Sequence, residues 1–202
     1  MKSSFASDSH LVRALLLVML GLPSLAHAHI GVGHASGLLH GMAHPVSGLD
    51  HLCAMVAVGL WAAQCGGRTL WLVPLAFVSV MTVGGMLGAA GMPLPLVEQG
   101  IAASLLVLGL LMAAAVRLPL AASVGLVGLF ALFHGHAHGT EMPDTASGLA
   151  YGLGFVIVTI SLHLLGMGAG VLVQKWGSAR LLRFAGGAVT VCGVYLCLQF
   201  LT

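Results

Sequence analysis

The sequence predicts an all-α membrane protein, a polytopic bundle of six transmembrane helices behind a cleavable signal peptide. Three observations lead there. First, the 202 residues are 59% hydrophobic and only 6% charged, with a mean hydropathy of +1.08, whereas a soluble domain carries about 25% charged residues. Seven Lys/Arg and five Asp/Glu cannot clothe a water-facing surface of this size. That excludes a soluble globular domain, a disordered chain and a nucleic-acid binder. Second, the apolar stretches approach the ~20 residues that a helix needs to cross hydrocarbon. They run without the alternation of a β-barrel strand. Third, the positive charges fall on alternate links, as they do when one side faces the cytoplasm.

Taken in order, residues 1–28 read as a secretory signal. Lys2 and Arg13 form a basic start, an apolar run follows over 14–22, and Ala26-His27-Ala28 offers a small-x-small cleavage site. The mature chain, 29–202, is then a single transmembrane domain with spans at 49–63, 70–90, 96–116, 118–133, 148–173 and 181–201. With the mature N-terminus outside, the cytoplasmic side holds Arg68, Arg117, Lys175 and Arg180, with Arg183 just within the last span. Asp50, Glu98, Glu141 and Asp144 all lie at the opposite ends. This separation places both chain ends in the periplasm. Glycines four apart, at 84 and 88, 148 and 152, and 166 and 170, suit close helix approach in lipid. The four cysteines form no C-x-x-C pair and read as small buried hydrophobes.

Histidine is the unusual residue, with 11 copies against 12 charged side chains in all, 7 basic and 5 acidic. The spans at 49–63 and 118–133 are short, so each must draw its polar neighbours toward the membrane. Ionisable groups at that depth are costly and point to function. The first constellation is His44-x5-Asp50-His51, with Pro45 separating His44 from the helix. Asp50 and His51 project about 100° apart on a helix. The second is Phe133-His134-Gly135-His136-Ala137-His138-Gly139-Thr140-Glu141. If helical, His134, His138 and Glu141 form one stripe and His136 points away. Gly135 and Gly139 leave a broken helix or a re-entrant turn equally open.

Imidazoles and carboxylates together suit Ni, Co, Zn or Cu(II). Both constellations fall on the outer side, where Glu98 joins them from the start of the third span. It serves either as a ligand or as an interfacial carboxylate at a helix N-terminus. His163 lies deep in the fifth span, as a core histidine or as an inner station on an ion path. His29, His34 and His40 precede the first span on the outside, either as weak collectors of metal or as a solvated tail. No phosphate loop, zinc-protease motif or nucleophile elbow is present, so the chain does not itself hydrolyse ATP.

The run His44-Pro45-Val46-Ser47-Gly48-Leu49-Asp50-His51, continuing through Trp61-Ala62, resembles the entry helix of the HupE/UreJ family. These are bacterial membrane proteins associated with nickel supply to hydrogenase and urease. Phe133 to Glu141 resembles that family's second motif, F-H-G-x-A-H-G-x-E. The resemblance implies an inner-membrane permease, not an enzyme, that takes up Ni²⁺ or Co²⁺ from the periplasm. It implies no permanently bound cofactor, because the ion is the cargo. It carries His44, Asp50, His51, His134, His138 and Glu141 as motif positions, with Glu98 and His163 fitting more loosely and His136 at a variable position. The expected partners are a divalent metal ion and the lipid bilayer, with homo-oligomer formation left open and no nucleic acid. Two other readings compete: an intramembrane zinc hydrolase, and an accessory protein that binds metal without moving it.

Overall fold

A computed structural model describes residues 34–142, 147–176 and 178–200. Among these the fold is entirely helical, in seven helices: α1 (His34–Ser47), α2 (Leu49–Cys65), α3 (Thr69–Ala89), α4 (Val97–Ala113), α5 (Leu120–Thr140), α6 (Gly148–Lys175) and α7 (Ala179–Leu198). The expected signal segment and Asp144 lie outside the described residues.

Four helices, α3, α5, α6 and α7, are long and apolar enough to cross a bilayer. Large apolar side chains such as Leu75, Leu165, Phe184 and Val191 point outward, as lipid-facing residues do. The first expected span differs from its reading. Residues 37–47 and 49–65 are two helical segments bent by 80°. His34 and His40, expected in a solvated tail, lie in a helix, α1, that packs against α6. Pro45 therefore sits inside a helix and does not separate His44 from one. The break falls instead at Gly48, whose backbone is extended. A Cβ there would lie 2.6 Å from Asp50 Oδ1, so a larger residue would have to displace the Asp50 carboxylate.

The third expected span, 96–116, is also shorter, since α4 has 17 residues. Pro93 and Pro95 precede it, and Leu96 enters it with a left-handed backbone, φ 60°. At its far end Ala115 turns left-handed and the Val116 N–H bonds back to Leu111 O, which closes the last turn.

Helix α5 runs unbroken to Thr140, so the histidine motif is helical. Its glycines serve packing. A Cβ on Gly135 would collide with Met81 O, and one on Gly139 with Gly85 O, both backbone atoms of α3. From the other side Gly84 and Gly88 meet Leu132 O and His136 O. Gly166 and Gly170 likewise seat α6 on α2, whereas Gly152 faces open space. Small residues thus bring backbones together where lipid supplies no hydrophobic drive.

The two ends of the bundle differ in chemistry. At one end Gln174 Nε2 donates to Ala63 O (2.8 Å), Arg183 Nε to Ala113 O (2.8 Å), Gln64 Nε2 to Met112 O and Trp61 Nε1 to Val116 O. Arg68, Arg117 and Lys175 belong to the turns at this end. Asp50, Glu98 and Glu141 gather at the other end, around one cavity of about 220 Å³.

Candidate metal centre

The centre is assembled from four helices. Pro45 and Gly48 shape the path from α1 into α2, and His44 and His51 line the same cavity. The α5 helix then presents His134 and His138 one turn apart, with Glu141 as its C-terminal cap residue. Helix α6 closes the side with Tyr151 and Phe155.

His44 Nε2 donates a 2.9 Å hydrogen bond to Glu141 Oε2. That bond holds the Glu141 carboxyl below its ordinary range, against the opposing effect of partial burial. His138 joins this pair. One ligand atom from each of His44, His138 and Glu141 lies within 4.8 Å of the other two. Metal–nitrogen bonds near 2 Å bring such a trio onto one ion with sub-ångström adjustments.

The histidines continue inward in ring contact. His138 meets His44 at a centroid distance of 4.6 Å and His51 at 4.3 Å. His51 meets His134 at 4.9 Å. His138 also lies on Phe155 at 3.9 Å.

Hydrogen bonding sets which nitrogen of each ring carries the proton. Asp50 Oδ1 accepts from the backbone N–H of His51 (2.8 Å) and from its Nδ1 (2.9 Å). Asp50 reaches its chain neighbour because the first-turn N–H groups of α2 have no helical partner; the 100° projection does not separate them. His51 Nε2 is left as a buried lone pair. The hydroxyl of Ser104 donates to Ile101 O (2.6 Å), so at 3.0 Å it accepts from His134 Nε2 and leaves Nδ1 free. His163 Nδ1 donates to Met55 O (2.8 Å) and leaves Nε2 free. His138 is 2% exposed, yet neither of its nitrogens has a partner. A polar atom buried without a partner costs about 1–3 kcal/mol. In His51, His134 and His163 one nitrogen is held and the other bare, as is usual for metal-binding histidines, while His138 has both bare. The residues present therefore fit a divalent ion.

The other sequence candidates fall elsewhere. Asp50 lines the outer cavity while held on His51. Glu98 is exposed and contributes to the same cavity wall from the first turn of α4. His163 stands apart from the outer cluster, behind Phe77. His136 is directed away, as the helical reading requires, and its Nε2 donates to Met92 O at 2.7 Å. That carbonyl is presented by the closed turn after α3, in which Gly91 has φ 70° and the Met92 N–H bonds to Leu87 O. In this arrangement His136 fastens the α3–α4 loop to α5.

Residues not singled out from sequence also shape the centre. Ser104 is a lone hydroxyl in the apolar run of α4, and that polarity was its only signal. Tyr151 and Phe155, four apart on α6, flank His44 and His138. Replacing Ser104 with alanine frees both nitrogens of His134. Supporting residues of this kind typically contribute 10–100-fold to metal affinity, so isothermal titration of the purified variant with Ni²⁺ is expected to show about a tenfold loss.

Residues 17–196 match the family described as HupE / UreJ protein. The chain is 50% identical over 180 residues to Protein HupE of Rhizobium leguminosarum bv. viciae, covering 89% of this chain and 94% of that protein. No solved structure matches it. A histidine-lined cavity at one end of an apolar helical bundle and a match over most of its length lead to one assignment: the chain belongs to the HupE/UreJ family, a family of membrane proteins associated with nickel and cobalt transport.

Proposed function

We propose that this protein is an inner-membrane permease that takes up Ni²⁺, or Co²⁺, from the periplasm and delivers it for metalloenzyme assembly such as that of hydrogenase or urease. In this reading residues 1–28 are cleaved and the mature chain crosses the membrane six times, with both ends in the periplasm. The bent α1–α2 pair and the short α4 complete the crossings.

One observation carries the proposal. The bare imidazole nitrogens do not close into a cage; they extend from His138 past His51 to His134, into the bundle. A closed structural site would hold its ion, whereas a graded series of ligands can pass it on. His44 and Glu141 meet the ion first, and Asp50 and Glu98 supply negative charge at the mouth. Each imidazole then replaces part of the ion's water shell. Inward movement of two charges gains about 4.6 kcal/mol per 100 mV of membrane potential, so no nucleotide hydrolysis is needed.

Vesicles containing this protein alone are expected to accumulate radiolabelled nickel when their interior is negative. Asp50→Asn and His134→Ala are expected to reduce the rate to background at unchanged protein level. Undiminished uptake in both variants overturns the site. Binding without any uptake by the native protein instead marks an accessory role. Competition between Ni²⁺ and Co²⁺ in the same vesicles identifies the preferred ion.

A further inference from the structure

Phe77, on α3, is fully buried. Its ring lies 5.7 Å from that of His134 and 4.9 Å from that of His163. Among the described ring contacts it alone meets both histidines. Each of those imidazoles carries a bare buried nitrogen, Nδ1 on His134 and Nε2 on His163. An apolar ring therefore touches both ligand stations, where it offers a passing ion nothing in place of water.

We infer that Phe77 is the barrier between an outer compartment, ending at His134, and an inner station at His163, and that an ion crosses only when this ring is displaced. The inference rests on the transport reading above. A short apolar constriction is one of the simplest ways to close an ion path. Two features of α3 lie close to the ring. Pro74, three residues earlier, has no N–H to bond to Leu70 O, which weakens α3 in the turn just before the one that carries Phe77. An apolar groove of about 210 Å³, open to the outer face of the bundle at the exposed Trp71, Leu75 and Leu164, runs along this stretch of α3 and reaches Pro74, Val78, His163 and Met167. The Met55 carbonyl holds His163 Nδ1, so the bare Nε2 is the nitrogen left to meet an ion.

The barrier is tested with full-length protein in vesicles, using Ni²⁺ outside, a metal-quenched dye inside and an imposed potential. Phe77→Ala is expected to raise the rate of Ni²⁺ entry on the order of tenfold, and Phe77→Leu to give an intermediate rate. Nickel affinity of the outer site is expected to stay unchanged in both. A second readout does not depend on transport. His163→Cys is treated with a charged thiosulfonate that does not enter lipid, and the adduct is located by peptide mass. Labelling is expected only when Phe77→Ala is also present. If that variant does not yield folded protein, Phe77→Leu carries both measurements. A position 163 left unlabelled in every background overturns the barrier, whatever the uptake. Labelling with unchanged Ni²⁺ entry overturns its place on the ion path. If the native protein moves no nickel, the transport reading fails by itself and the labelling still decides the barrier.

Discussion

Replacing His138 with phenylalanine is expected to weaken nickel binding by at least about a hundredfold, or about 2.7 kcal/mol, and to abolish uptake without lowering the melting temperature. The two halves of this result come from the same atoms. His138 touches His44 and His51 and shares the outer cluster with Glu141, so among the described residues no other ring links the outer and inner histidines. Both of its nitrogens are buried without a partner, so the folded protein gains no hydrogen bond from them. Removing such a group in favour of an apolar one of similar shape is close to neutral or stabilising. Phenylalanine keeps a ring against Phe155. Isothermal titration and thermal unfolding of one purified variant check both halves. A melting temperature that falls by several degrees while nickel binding persists would sink the ligand assignment and make His138 an ordinary core residue.

Gly135→Val is expected to have the largest effect on the fold. The new side chain would strike Met81 O and approach Gly85 N, both backbone, so neither can rotate away. Overpacking a well-packed site costs about 1–3 kcal/mol, and a backbone clash lies at or beyond the top of that range. Against a total stability of about 5–15 kcal/mol, the variant is expected to give little monodisperse protein in detergent. Gly125 lies on the same helix with nothing within 4 Å of its would-be Cβ. There, Gly125→Ala is expected to stabilise by about 1 kcal/mol, the helix-propensity difference. Equal behaviour of the two variants would show that α5 does not rest on α3 through this glycine.

Composition and periodic charge were enough to read the helical class and the opposite placement of acids and bases. The local signals for His44, Asp50, His51, His134, His138 and Glu141 were equally direct, because each stands next to an apolar run where a polar residue is conspicuous. What remained illegible depends on contacts between distant segments. The helical state of α1 was not read from sequence, since a stretch rich in His and Gly has weak local helical preference; packing on α6 decides the matter. Gly135 and Gly139 left the motif ambiguous, since glycine both weakens a helix and allows a close neighbour, and only α3 reveals which applies. The loop contact of His136 needs the carbonyl of Met92, 44 residues away. Phe77 carries no local signal at all, being one more aromatic residue in an apolar helix.

The side-chain bonds at the basic end join α2, α4, α6 and α7 to one another, and none of them reaches α3 or α5. Those two helices are joined instead by their own glycines. Mechanically the bundle is therefore a stitched frame holding a two-helix lever. His134, His138 and Phe77 all ride on the lever, while His51, Ser104 and His163 belong to the frame. A small tilt of one body against the other would change every distance along the imidazole series together, without remaking a single bond at the stitched end.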